Sequence, residues 1–334
     1  MSTSIKPVPK SLDSLDELSV VVLSYNRREE LRQNLEALCA LRERMRFELI
    51  VIDNASTDGT REDLRHLHLE NPGVVILQSE CNLGVAGGRN LGWAAATRPF
   101  ILNLDDDTRI DLDAMLSLHR AAAASEEIGV VTPKVVHAET GHCQNGDYAG
   151  KVREPANFHG ACHLVRAAAW RSVGPLDPGC RFGGEELDYA IRLRAAGYST
   201  VCVGEVTVRH NSLTRGDSVD RWRREQWVYN YSRVLFKHFP VSRAITCAVR
   251  GLVSHLMTGM AVHGLSIAPP LIRYGIRGAV AGRRRYARLP DAALRFYSND
   301  QLVPDFGNIP LWRKLRNRLH RRLGAATHAS RATI

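Results

Sequence analysis

No two of the seven cysteines, Cys39, Cys81, Cys143, Cys162, Cys180, Cys202 and Cys247, fall in a CxxC spacing, and pairing six of them would leave one over. That disfavours a disulfide scaffold and a cysteine zinc site, and it points to a reducing compartment. No apolar signal segment stands behind the lysines of MSTSIKPVPKSLDSLDEL, so secretion by that route is not expected and the cytoplasm is the default location. GxGxxG is missing, as are GKS and GKT, which disfavours a Rossmann dehydrogenase or a P-loop enzyme. Zinc-finger spacing and RNP-like aromatics are absent too, so nucleic acid is not the expected partner despite a formal charge of +10. Much of that charge lies beyond Arg209, at Arg221, Arg223 and Arg224, at Arg283, Arg284 and Arg285, and from Arg313 to Arg322. An anionic membrane face, a phosphorylated substrate or a plain soluble surface could each accommodate it.

What is present is 334 residues with 44% hydrophobic content, enough for one large domain with extensions or two smaller ones. The chain centres on FILNLDDDT, Phe100 to Thr108, where a run that fits a buried strand ends in Asp105, Asp106 and Asp107. Like charge so concentrated calls for a positive partner. Asp105 and Asp107 alternate on an extended backbone, so both can present oxygens to one hard divalent cation, or through it to a diphosphate. The competing reading is a carboxylate-rich turn that ends the strand and caps the next helix, since Asp111 and Asp113 follow.

In chain order, residues 1–17 read as a leader. LSVVVLS from Leu18 to Ser24 fits a buried parallel strand, and Tyr25 to Arg28 leave it as a polar loop. A helical pattern with Leu31, Leu35 and Leu38 on one side leads to a second strand, Phe47 to Ile52, which ends in DNASTDGT from Asp53. This is the strand, helix, strand unit of an open α/β domain, whose ligands lie beyond the carboxyl ends of the strands. A helix from Thr60, a strand over Val74 to Gln78 and the glycine-rich turn NLGVAGGRN from Asn82 then lead into the aspartate strand. Past it come an alanine-rich helix, a strand over Gly129 to Val136, a polar excursion to Glu154, and a strand over Phe158 to Val165. A short helix with Trp170 as a core anchor follows, then a helix opened by FGGEELD, and strands over Tyr198 to Val203 and Val206 to Val208 that end at His210.

The ordered blocks VVVLSYNR, VIDNASTDGT, NLGVAGGRN, LNLDDD, FGGEELD and VTVRH resemble the family 2 inverting glycosyltransferases of the GT-A fold, including bacterial rhamnosyltransferase-like members. The resemblance covers residues 18–211 and implies an α/β fold, an open and mostly parallel sheet flanked by helices. It implies a nucleotide-diphosphate sugar donor, with base and ribose contacts from Ser24, Tyr25, Asn26, Arg27, Asp53, Asn54, Ser56 and Asp58. Further donor contacts are implied from Asn82, Gly84, Gly88, Arg89, Asp105 and Asp106, and metal contacts, to Mg²⁺ or Mn²⁺, from Asp107 and Asp105. The family's acidic pair is usually glutamate then aspartate, the aspartate being the general base. Here Glu185 precedes Glu186, so Glu186 inherits the role by position.

The chemistry of sugar transfer asks for the same parts: cationic stabilisation of the leaving diphosphate, and a carboxylate to take the proton of the acceptor hydroxyl. Glu186, Glu185 and Asp188 are the candidates for the second task, with an orienting or structural role foremost for Asp188, four residues before Arg192 on the same face. His210 is either a third metal ligand, an imidazole suiting Mn²⁺ better than Mg²⁺, or a surface or supporting histidine. His137, His142 and Cys143 match no common zinc spacing. For the acceptor, a carbohydrate, glycolipid or small molecule, the candidates are Asn157, His159 and Gly184. Residues 212–334 read as a mainly helical extension, with Trp227, Tyr231, Leu235 and Phe239 in helical register. An apolar stretch from Ile245 is interrupted by Arg250, His255 and His263 and ended by Pro269 and Pro270, a poor transmembrane span and a better packed or interfacial pair. A lid over the transferase domain, peripheral attachment at the inner face of the membrane, and an oligomer contact are its three readings. Against an active inverting transferase stands a sugar-nucleotide-binding or scaffold protein of the same fold without turnover.

Overall fold

The computed structural model describes residues 14–71, 73–145, 152–211 and 216–298. The leader up to residue 13 and the basic stretch from Arg313 to Arg322 lie outside them. Four apolar runs become parallel strands, β1 (Leu18–Ser24), β2 (Glu48–Asp53), β3 (Val74–Gln78) and β4 (Phe100–Asp105), in the spatial order β3-β2-β1-β4. The connections are α1 (Arg28–Arg44), α2 (Thr60–Glu70) and α3 (Gly84–Ala95). Strands covered on both faces carry apolar residues at successive positions, which is why LSVVVLS and FILNLD do not alternate. Val20, Val22, Leu49, Val51, Leu102 and Leu104 pack with Leu31, Leu35, Leu38 and Leu64 of α1 and α2. Val21, Ile50, Ile52 and Ile101 pack with Trp93 of α3 on the opposite face. Trp93 is fully buried and its indole N–H donates to Asn103 Oδ1 at 2.7 Å, so it is the aromatic centre of that layer, while Trp170 is only half-buried at its edge.

The second half adds β5 (Thr108–Arg109), α4 (Leu112–Ala123), β6 (Ile128–His137), β7 (Val152–Arg153), β8 (Cys162–Arg166), α5 (Ala167–Val173), α6 (Glu185–Ala195) and β9 (Ser199–His210). β8 runs antiparallel to β4 and β6, and β9 runs parallel to β6, which completes a mixed, mostly parallel sheet flanked by helices. β9 is one strand where two were expected. Its register breaks opposite Pro133 and Lys134, so Gly204 to Val206 form a bulge that re-aims the strand's far end. That end pairs His210 with Thr108. β8 begins at Cys162 rather than Phe158, because Gly160 O accepts from Arg89 Nη2 at 2.9 Å and Ala161 N donates to His159 Nδ1 at 3.2 Å, side-chain bonds in place of a ladder.

The described part of the extension is helical: α7 (Gly216–His238), α8 (Val241–His263), a 3₁₀ turn at Gly264–Ile267, α9 (Ala268–Arg283) and α10 (Asp291–Phe296). Tyr231, Leu235 and Phe239 are buried at the expected helical spacing and share a core with Leu187 and Ile191 of α6. Pro269 and Pro270 do not simply end an apolar helix. They sit in the first turn of α9, where a missing N–H has no helical partner to lose.

Candidate active site

The site lies at the carboxyl ends of β1, β2 and β4, where the direction of strand addition reverses about β1 and an open α/β sheet offers a crevice. Two non-glycine residues with left-handed backbone mark its rim, Asn26 at φ 52° and Ala55 at φ 68°. Asn26 ties the two loops together. Asn26 N donates to Ser56 Oγ at 2.9 Å, and Thr57 N donates to Asn26 Oδ1 at 2.7 Å. Asp53 is fully buried, accepting from Ser56 N at 2.9 Å through Oδ1 while Oδ2 lies 3.2 Å from Arg61 Nε. Asp58 accepts from Thr60 Oγ1 at 2.6 Å and Arg28 N at 3.0 Å. Tyr25 projects outward, 42% exposed.

The glycine block is tied to this loop by Asn54, whose Oδ1 accepts from Leu83 N at 2.9 Å and whose Nδ2 donates to Gly84 O at 3.2 Å. Asn82 Oδ1 accepts from Gly84 N at 2.8 Å. Gly84 adopts φ +73°, and a Cβ there would stand 2.7 Å from Arg181 O, so only glycine fits between the block and the turn before α6. Gly88 lies against Leu23 of β1.

The three aspartates divide their work. The cap of α4 is Asp111, whose side chain accepts from Ala114 N at 2.8 Å, so capping does not account for the cluster. Asp106 turns inward, accepting from Ser24 Oγ at 2.8 Å with Arg27 3.5 Å away, and burial pushes its carboxyl up to about 8 against the pull of Arg27. Asp105 and Asp107 converge with His210 so that one ligand atom from each lies within 4.8 Å of the others. Arg27 is paired with Asp107, and His210 Nε2 lies 3.1 Å from Asp107 Oδ1. Burial opposes charge on both Asp107 and His210, yet their mutual hydrogen bond and attraction lower the first pKa and raise the second.

The donor set fits a divalent cation. His210 Nδ1 lies 2.7 Å from Gln144 Oε1, which can accept the Nδ1–H, so that Nε2, held against the carboxylates, is the nitrogen that would give up its proton to ligate a cation. Two carboxylates and an imidazole suit Mg²⁺ or Mn²⁺ better than a thiolate-seeking metal. His159 stands beside His210, ring centroids 5.9 Å apart, and burial holds its pKa down to about 4. Asn157 is half-buried two residues earlier in the same loop.

Arg89 of α3 joins this cluster to the acids of α6. It is buried, with Nη2 2.9 Å from Asp105 Oδ1 and Nη1 3.3 Å from Glu185 Oε1 and 3.4 Å from Glu186 Oε1. Burial works against its charge, but the three carboxylates raise its pKa. Glu185 is the more enclosed acid, its side chain 2% exposed against 13% for Glu186. Its Oε2 is buried without a hydrogen-bond partner, and burial followed by the Glu186 charge raises its pKa well above the carboxylate range. Gly160 makes room for Glu186, since a Cβ at that position would overlap Glu186 Oε1. Asp188 faces away from this space, fully buried and bonded to Arg192 Nε at 2.8 Å, Lys237 Nζ at 2.6 Å and His238 Nε2 at 2.8 Å. Gly184 caps α6 and packs on Asn230 of α7. Two groups were not anticipated: Gln144, which orients His210, and Asp177, which binds Arg233 and Lys237 of α7. No spacing signals either one.

Two family profiles match the chain, Glycosyl transferase family 2 over residues 19–151 and Glycosyl transferase family group 2 over residues 100–276. The poly-beta-1,6-N-acetyl-D-glucosamine synthase of Staphylococcus aureus is 25% identical over 162 residues, 46% of this chain and 39% of that protein. The succinoglycan biosynthesis protein ExoO of Rhizobium meliloti is 30% identical over 129 residues, 38% of this chain and 36% of that protein. The chain thus spans well under half the length of these curated relatives. Among solved structures, the mannosyltransferase PcManGT of Pyrobaculum calidifontis, in complex with GDP-Man and Mn²⁺, superposes with a TM-score of 0.53 at 17% identity, covering 90% of this chain and 84% of that one. GalNAc-T7 with UDP, GalNAc and Mn²⁺ gives 0.59 at 16% identity, covering 78% and 57%. At such identities these likenesses establish the shared fold. Because the second profile takes in more than half of the sequence, the protein belongs to glycosyl transferase family group 2.

Proposed function

We propose that the protein is an inverting glycosyltransferase that moves a sugar from a nucleotide-diphosphate donor to an acceptor hydroxyl by direct displacement. The observation that carries this reading is Arg89, one guanidinium that contacts Asp105 of the cation cluster and Glu186 of α6 together. A group that wide brings a leaving-group site and a proton acceptor to within one substrate of each other. Asp107, Asp105 and His210 would hold Mg²⁺ or Mn²⁺, which when bound supplies positive charge to the leaving diphosphate. Ser24, the Asn26–Ser56 rim and the Asp53 loop shape the nucleotide end. Glu186, less enclosed than Glu185, takes the proton of the acceptor hydroxyl as it attacks the face opposite the diphosphate, which inverts the anomeric centre. Seven cysteines without a CxxC spacing favour a reducing compartment, the cytoplasm.

The test is a panel of UDP-, GDP- and dTDP-sugars, a rhamnosyl donor included, scored for metal-dependent protection against unfolding and then for products by mass spectrometry. Protection by one donor class with Mn²⁺ or Mg²⁺, and a glycosylated product, is the expected result. Protection without transfer or hydrolysis would favour a binding protein that keeps the fold without turnover.

A further inference from the structure

We infer that α9 and the turn before it dock on an anionic lipid bilayer, lying in the plane of the interface. From 241 to 288 the sequence holds eight arginines and no aspartate, glutamate or lysine. On α9, Ile272, Ile276 and Val280 recur every fourth residue and are 43%, 61% and 49% exposed, while Leu265 on the preceding turn is 80% exposed. Leu271, Gly278 and Gly282 form the buried face. Arg273 and Arg277 follow the two isoleucines by one position, about 100° round the helix, which places them at the edge of the apolar stripe. Ala268, Pro269, Ile272, Arg273, Ile276 and Arg277 line a shallow open groove of about 480 Å³.

Among the described residues no ion pair involves Arg273, Arg277, Arg283 or Arg284; three of them lie over tyrosine rings, Arg273 and Arg277 at Tyr274 and Arg283 at Tyr286. A stripe of exposed isoleucine edged by such cations suits a surface that is apolar within and anionic at its rim. That is the lipid interface, where arginine stems lie along acyl chains while guanidinium groups reach phosphate. Charge of one sign argues against a second copy of this chain, which would bring the same arginines to the contact.

Lying on the surface is favoured over crossing. The stretch Val241–Arg283 has a window of mean hydropathy 1.3, long and apolar enough by composition to span. Yet α8 buries Ala244, Cys247, Gly251, Ser254 and Gly259 along one side and exposes Arg250 on the other, and α9 is packed on α7 through Gly278 and Gly282, against the Tyr229 and Arg233 carbonyls. Helices held to protein on one side have only the other to give to lipid. α7 in turn packs on Gly183 through Trp227, so a bilayer on α9 lies one helix away from the turn that opens α6.

This inference goes beyond the transferase reading, and vesicle binding can hold or fail independently of turnover. The experiment is co-sedimentation of the full chain with phosphatidylcholine vesicles and with equimolar phosphatidylcholine and phosphatidylglycerol, alongside sedimentation velocity without lipid. Binding to the anionic vesicles alone is expected. Arg273→Glu with Arg277→Glu should weaken it roughly thirtyfold or more, since each basic side chain near an anionic surface contributes about fivefold. Ile272→Ser with Ile276→Ser should weaken it roughly tenfold, and both pairs are exposed enough to leave the thermal unfolding profile in place. Absent binding, equal binding to both vesicle types, or unchanged binding of either double variant overturns the proposal. So does a dimer that the isoleucine variant dissociates while lipid binding persists.

Discussion

Arg89 shows how one side chain can organise a site. A buried guanidinium must be paired, and its partners here are Asp105, Glu185, Glu186 and the Gly160 carbonyl. The two glutamates it touches are not equivalent, because Glu185 is enclosed with an unbonded oxygen and a raised pKa, while Glu186 reaches the opening. Glu186→Gln should therefore keep donor affinity, read by calorimetry, and lower turnover roughly 10²-fold or more, as for loss of a general base. Glu185→Gln, at the more enclosed of the two side chains, should cost less than about tenfold on the same scale; the reverse order would move the base by one residue. Gly160→Ala tests the same geometry from the other side. Its methyl would displace Glu186 Oε1 and press more lightly on the Arg89 guanidinium 3.0 Å away, so steady-state kinetics should show kcat falling by more than the donor KM rises. Normal turnover in this variant would count against a role for Glu186 in the position it holds beside Gly160.

At the scale of elements, α6 is held by a charged seam with α7. Burial alone would raise the Asp177 carboxyl, but hydrogen bonds and charge from Arg233 and Lys237 outweigh it and hold it down to about 2. Burial likewise opposes Asp188, which His238, Arg192 and Lys237 hold low. A carboxylate whose pKa is depressed by folding contributes stability that is complete above its unfolded value, about 4, and is lost as pH falls through the folded one. Chemical unfolding should thus show stability declining from about pH 4 toward about pH 2, with a shallower decline in Asp177→Asn. An identical acid limb in that variant would remove Asp177 from the seam. Of this only the Asp188–Arg192 pair was legible beforehand, from its spacing of four on one helix face, since Asp177 and Arg233 lie 56 residues apart and acids at a helix start are ordinary on electrostatic grounds alone. By contrast, β1 to β4 could be read because buried parallel strands are short apolar runs ended by polar turns. β9 could not be read as one strand, because its bulge at Gly204 looks like a break in a single sequence.

For the whole molecule, sequence position was enough to nominate Asp105, Asp107 and His210, because each sits at a strand end or within two residues of one and an open α/β sheet delivers strand ends to one crevice. What position could not give was the arrangement around them: Asp106 turned inward to Ser24, and Arg89 reaching from Asp105 to the acids of α6. If that crevice takes the donor, Asp107→Ala should leave a folded protein in which Mn²⁺ or Mg²⁺ no longer promotes donor binding, as calorimetry with and without chelator would show. Unchanged metal-dependent affinity would place the cation elsewhere. The most direct measurement is a nuclear magnetic resonance time course of the reaction with the donor and acceptor the screen identifies, following the anomeric proton from donor to first product. The expected result is a product of inverted configuration that forms with Mn²⁺ or Mg²⁺ and not with chelator; a product of retained configuration, or transfer indifferent to chelation, would contradict it.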